Sequence, residues 1–341
     1  MSEKVIVAVD AMGGDNAPLE LVKGAVEALN EKENLYIKLV GDKAAIESEL
    51  AKYEYNTEML EIVPTTEVIE TGEHPVEAIR GKKNSSMVVG LKQVKQGEAD
   101  AFVSAGSSGA LLVGGQTIVG RLKGIERPPL APLIPTAKGV SLLIDCGANV
   151  DAKPSYLVQF AKIGSIYMEN IVGRKNPKVA LVNIGAEEEK GNALTKETFQ
   201  LLKNLPDINF IGNIEARDIP NGDADVIVCD AFVGNVILKL YEGLAGTLIK
   251  EIKGGMMSSF KSKMGALLVK PALKKTLKSF SADEYGGAPL LGLKGLVVKT
   301  HGSSKSIEVK NSILNALKFK EQRINEQISE HISDVQAVKE V

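Results

Sequence analysis

Short apolar runs rich in Val and Ile alternate along the chain with longer stretches whose apolar residues recur every three or four positions. The short runs predict strands at Val5–Val9, Tyr36–Val40, Met59–Val63, Ala101–Ser104, Ser141–Asp145, Val179–Asn183, Ile208–Ile211, Val226–Cys229 and Leu296–Val298. The longer stretches predict helices over 18–32, 43–53, 85–96, 108–121, 155–169, 194–204, 232–252 and 304–322. Ile324, Ile328, Ile332 and Val335 add a last helix. This alternation implies βαβ units: an α/β fold with a mainly parallel sheet and helices on both faces.

Most of the strands run into small or polar residues. The clusters are Asp10–Asp15, Ser104–Ala110, Asp145–Asn149, Asn183–Gly185, Asp230–Asn235 and His301–Ser304. Ligands of open α/β sheets bind beyond the carboxyl ends of the strands, so these six clusters are expected to converge on one crevice. In Ser104–Ala110 the small residues allow close backbone approach, and Ser107 and Ser108 stand where a helix starts, a place that favours an anion. A plain cap and turn is the alternative there. The spacing is neither GxGxxG nor a P-loop.

Gly13 and Gly14 make a second glycine-rich turn, and His301, Gly302, Ser303 and Ser304 a third anion-capable one. Asp10, Asp145 and Asp230 each close a strand, as caps or as proton-transfer groups. With three scattered His and two Cys, no metal site and no cofactor are expected. Cys146 and Cys229 read as buried structural thiols.

A long amphipathic helix follows Asp230. Gly254 and Gly255 are expected to break it, and Pro271 to stop a second one. Residues 250–278 hold eight lysines and one acid, a net of +7 in a chain of net −2. The tip offers Lys253, Met256, Met257, Phe260, Lys261, Lys263, Leu267, Leu268 and Lys270 to a membrane surface or an acidic carrier protein. A dimerisation arm is the plainer reading. Net charge near zero, absence of Trp and 4% aromatics argue against nucleic-acid binding. The N-terminus leads into a strand and not a signal peptide, and no apolar run approaches a membrane span, so a cytoplasmic protein is expected.

Taken together, Val7–Pro18, Lys82–Met87, Ser104–Ala110, Asp145–Pro154, Leu157–Phe160, Gly191–Asn192, Arg217–Asp218 and Cys229–Asn235 resemble the bacterial phosphate acyltransferase (PlsX) family, in order, from about residue 5 to 320. The resemblance implies a single large α/β unit over 1–341, similar to isopropylmalate dehydrogenases and phosphate acetyltransferases, with a hairpin insertion at 238–282. It also implies a homodimer that is cytoplasmic and attached peripherally to the inner face of the membrane. The implied reaction moves a fatty acyl group from acyl carrier protein to inorganic phosphate, giving acyl phosphate for phospholipid synthesis. The usual Ser-Ala-Gly-Asn-Thr-Gly-Ala of that family departs here at Ser107 and Ser108, losing an amide.

On that reading Gly106, Ser107 and Ser108 cradle phosphate. Gly13, Gly14, Asn149, Asn183 and Asn235 are further phosphate or oxyanion contacts, with Asp10, Asp15, Ser104, Gly147, Gly185, Gly302 and Ser303 completing the binding set. Asp145, Asp230 and His301 are the proton-handling candidates. Phosphate attacks directly, so no acyl-enzyme is expected. A phosphotransacylase for small coenzyme A thioesters and a non-enzymatic carrier-protein scaffold are the competing functions.

Overall fold

The computed structural model describes residues 4–279 and 285–338. Met1–Glu3, residues 280–282 of the expected hairpin, and the side chains of Lys275, Lys278 and Val335 lie outside the described residues. The chain divides into two compact units.

The first unit comprises the chain up to Pro132, Lys162–Asn176 and the C-terminal segment. Its strands are β1 (Val5–Asp10), β2 (Leu35–Gly41), β3 (Leu60–Pro64), β4 (Ala101–Ser104), β10 (Ala288–Leu290) and β11 (Leu296–Lys299). They form one sheet in the order β10-β11-β4-β1-β2-β3. All pairs are parallel except β10 with β11. Val7, Ala8 and Val9 have no exposed surface. Successive side chains point to opposite faces, so this run requires both faces to be covered. Helix α4 (Ser86–Gln96) touches β1, β2 and β4, while α10 (Ser306–Glu321) touches β1, β4 and β11 and packs on α1 (Leu19–Leu29).

The second unit comprises Leu133–Ala161 and the chain from Pro177 through the hairpin. Its strands are β5 (Leu133–Thr136), β6 (Gly139–Ile144), β7 (Lys178–Asn183), β8 (Asn209–Glu215) and β9 (Val226–Val228), ordered β5-β6-β9-β7-β8. Only the β5–β6 pair is antiparallel.

The expected α/β class and mainly parallel pairing are therefore present, distributed over two sheets. Strands β5 and β10 escaped the sequence reading. Each contains a proline, Pro135 or Pro289, and sits at a sheet edge, where a missing N–H is tolerated. Helix α3 (Pro75–Gly81) was missed too, being only seven residues long.

The hairpin corrects two expectations. Helix α8 (Ala231–Met257) runs straight through Gly254 and Gly255, and the chain turns at Ser258 and Ser259. Ser259 Oγ accepts from Ser262 N–H at 3.1 Å, capping α9 (Phe260–Ser279). Glycine raises the cost of a helix without removing a hydrogen-bond donor, whereas a serine cap favours a new start. Pro271 lies inside α9 and does not end it. The last expected helix is present as α11 (Ile324–Val338), with Ile324, Ile328 and Ile332 buried.

Candidate active site

In the first unit the loops after β1, β4 and β11 are joined by hydrogen bonds. Asp10, the last residue of β1, is fully buried, and its Oδ2 accepts from Ser104 Oγ at 2.7 Å. Ser104 Oγ in turn accepts from Gly106 N–H at 3.0 Å. Met12 N–H donates to Asp10 Oδ1 at 3.2 Å. Burial pushes the Asp10 carboxyl above its usual value, and donors from Ser86, Ser104, Met12 and Gly13 offset part of that.

Two glycines let these turns touch. A Cβ at Gly13 would stand 2.5 Å from Asp10 Oδ2 and 2.7 Å from Gly106 N. Gly14 has φ +89° and its Cβ position is 2.8 Å from Gly302 O. Asp15 N–H donates to that same Gly302 carbonyl at 2.8 Å. Asn16 Nδ2 donates to Ser303 O and Ser304 O at 3.0 and 3.2 Å.

Helix α5 starts at Ser108 and continues as one helix to Val119, with Ser107 as its N-cap. The buried Ser107 hydroxyl accepts from Ala110 N–H at 3.4 Å. The expected cradle is thereby redistributed. The Gly106 N–H is already bonded and the Ser107 oxygen serves its own helix, whereas Ser108 and Gly109 offer N–H groups with no partner among the described residues. Lys299, which the sequence reading passed over, reaches this loop from the end of β11, donating to Ala105 O at 3.3 Å and to Thr300 O. Ser86, buried at the start of α4, is the other missed residue: its hydroxyl is among the groups that lower the Asp10 pKa.

His301 is exposed, and Ser303 N–H donates to its Nδ1 at 3.2 Å. The same Nδ1 lies 2.7 Å from Ser303 Oγ, so Ser303 fixes the orientation of the ring. Glu308 holds the turn, accepting from His301 N–H at 3.1 Å and Ser304 Oγ at 2.6 Å.

In the second unit Asp145 follows β6 and is fully buried. Its Oδ2 accepts from Asn149 Nδ2 at 2.7 Å and its Oδ1 from Ala148 N–H at 3.2 Å. Asp230 caps α8, accepting from Val233 N–H at 2.9 Å. The first turn of α8 lies so close to the β6 end that a Cβ at Gly234 would fall 1.9 Å from Asp145 O. Asn183 ends β7 and holds its own loop, accepting from Ile184 N–H at 2.8 Å and donating to Lys190 O at 3.1 Å. Gly147 and Gly185 belong to these same turns, and Asn235 is exposed on the first turn of α8. Burial and the nearby carboxylates hold the Cys146 and Cys229 thiols well above their ordinary range.

Parallel α/β units whose strand ends gather small, anion-compatible loops define a phosphotransacylase-like fold. A phosphotransacetylase from Streptococcus pyogenes matches with TM-score 0.62 and 18% identity, over 94% of this chain and 95% of that one. The EutD phosphotransacetylase of Staphylococcus aureus matches at 0.57 and 16%, over 92% and 94%. The family model "Fatty acid synthesis protein" matches residues 5–327, and the chain belongs to that family. A phosphate acyltransferase from Clostridium novyi is 52% identical over 326 residues, covering 96% of this chain and 98% of that protein. One from Alkaliphilus oremlandii is 53% identical over 329 residues, with 96% and 98% covered. The protein is thus an enzyme of the acyltransferase class.

Proposed function

We propose that this acyltransferase moves a fatty acyl group from acyl carrier protein directly to inorganic phosphate. The observation that carries the reading is the start of α5: unpartnered N–H groups of Ser108 and Gly109 beside the Lys299 ammonium, in a chain half identical to phosphate acyltransferases. Two N–H donors, a helix N-terminus and a cation suit a phosphate dianion. A phosphate oxygen attacks the thioester carbonyl, the C–O bond forms and the C–S bond breaks with its electron pair on sulfur. The proton of the hydrogen phosphate ends on the leaving thiol. Holding phosphate beside the carbonyl supplies proximity, and preorganised donors stabilise the tetrahedral oxyanion. His301 is the proposed donor to an oxygen or to the departing sulfur. No acyl-enzyme forms, in keeping with two thiols held protonated and buried.

The hairpin supports the carrier protein, membrane and homodimer parts of the proposal. Phe232, Val236, Leu240, Leu244, Leu248 and Ile252 form an exposed ridge at every fourth residue of α8, a face suited to a second copy of the chain. At the far end Phe260 and Leu268 are each 80% exposed among Lys261, Lys263 and Lys270. Such a tip suits an anionic membrane surface, and its lysines an acidic carrier protein. On this reading the enzyme works in the cytoplasm, peripherally on the inner face of the membrane.

The test is to incubate the protein with palmitoyl acyl carrier protein, then with palmitoyl coenzyme A, each with and without phosphate. Phosphate-dependent acyl phosphate from the carrier-protein thioester is the expected result. Turnover of the coenzyme A thioester alone would favour the small-thioester reading.

A further inference from the structure

The peptide group between Ala105 and Gly106 is held at both of its polar ends. Its N–H, on Gly106, donates to Ser104 Oγ at 3.0 Å, and its C=O, on Ala105, accepts from the Lys299 ammonium at 3.3 Å. A serine hydroxyl has a single proton to give. Ser104 gives it to Asp10 Oδ2 at 2.7 Å, so only lone pairs face the Gly106 N–H. Asp10 is fixed in turn, its Oδ1 accepting from Met12 N–H at 3.2 Å. Both side chains are buried, Asp10 at 1% exposure and Ser104 at 0%. The loop is also tightly packed: a Cβ at Gly106 would lie 2.9 Å from Met87 Cε and 3.3 Å from Asp10 Oδ2.

We infer that Asp10 is a positioning residue for phosphate binding: through Ser104 it sets the plane of the Ala105–Gly106 peptide, and that plane aims the Lys299 ammonium and the N–H groups at the start of α5. The inference rests on the acyl-to-phosphate reading above and adds what holds the phosphate site of that reading in place. Buried as it is, Asp10 acts through these partners and not by touching phosphate. Turning the peptide over would bring the Ala105 oxygen toward Ser104 Oγ, lone pair against lone pair, and would take the acceptor away from Lys299. Ser108 and Gly109 follow within three residues, so their N–H groups would be re-aimed as well. Charge alone works in the other direction. A carboxylate near a phosphate dianion repels it, so neutralising Asp10 would tighten phosphate binding if charge were its whole effect. Positioning demands the opposite sign.

The test compares the parent with Asp10→Asn, Ser104→Ala and the double variant. It measures KM for inorganic phosphate, KM for palmitoyl acyl carrier protein, and the rise in melting temperature on adding inorganic phosphate. Each single variant should raise the phosphate KM roughly tenfold or more, and should need correspondingly more phosphate for the same thermal shift. The carrier-protein KM should stay within about twofold, which a general loosening of the fold would not allow. Because Asp10 and Ser104 act in one chain of hydrogen bonds, the double variant should be about as impaired as the worse single and not the product of the two. Ser104→Ala carries the test if Asp10→Asn fails to fold, with folding checked by circular dichroism. A phosphate KM that is unchanged or lowered in a folded variant, equal rises in both KM values, or single effects that multiply in the double variant would overturn the positioning role. Where the parent makes acyl phosphate and the variants match it, that role falls alone. A parent that makes no acyl phosphate takes the underlying reading down as well.

Discussion

Asp10 is a carboxylate with no room for hydration, held by the Ser104 hydroxyl at 2.7 Å and by its own turn. Burial raises its pKa, so the folded protein binds its proton more tightly than the unfolded chain does. Its contribution to stability is therefore fully present below the ordinary carboxylate value of about 4 and is lost as pH rises through the folded value. Asp10→Asn has no such dependence. The melting temperature of the parent relative to Asp10→Asn should move in the parent's favour as pH falls from neutral into that range. A difference constant with pH would contradict this account. Gly234 is the opposite kind of residue, valuable for what it lacks. Gly234→Ala puts a methyl into the Asp145 carbonyl, which cannot turn aside, and should cost about 1–3 kcal/mol by urea unfolding. An unchanged midpoint would show that α8 shifts freely. Asp10 stands out in the sequence as a strand-ending acid; Ser86, whose hydroxyl lowers its pKa, is 76 residues away and had no local signal.

At the scale of elements, α8 is two things in one helix. Its base is built into the second unit: Asp230 caps it, Ile237 is buried, and Tyr241 Oη donates to Pro135 O at 2.7 Å. Beyond Tyr241 almost every residue is exposed. Helical spacing over 232–252 revealed the helix, but periodicity cannot say whether an apolar face meets a core, a partner or solvent. The proposed membrane role is tested by Leu267→Glu with Leu268→Glu. Each lysine near an anionic surface contributes about 1 kcal/mol, to which apolar insertion adds. The parent should sediment with anionic vesicles in a salt-sensitive way and only weakly with neutral ones. The double variant should stay in the supernatant while still turning over soluble carrier-protein substrate. Cosedimentation equal to the parent's would leave the hairpin a dimer arm only.

For the whole molecule, the two thiols join interior packing to the reaction. Cys146 and Cys229 lie in one cluster with Leu143, Ile227 and Ile237, and their raised pKa values keep them protonated. Direct attack by phosphate requires neither. Cys146→Ala with Cys229→Ala should lose stability through two small cavities yet keep most of its turnover. Its initial-rate pattern should remain sequential and not ping-pong. An acyl group found by mass spectrometry on either cysteine of the parent would refute the direct route.

The sequence by itself determined the α/β class, most strands and helices, the polar loops at strand ends and the family, because periodicity and contiguous motifs are written within a few residues of one another. Tertiary structure alone decided the division into two sheets and the edge places of β5 and β10. It also decided which donors of the Ser104–Gly109 loop are left free. Gly106 N–H and the Ser107 oxygen are consumed by neighbours, and Lys299 arrives from a strand 195 residues downstream of Ser104. Whether a polar group is spent or available depends on which partner the fold brings within about 3 Å, and no window along the chain holds that information.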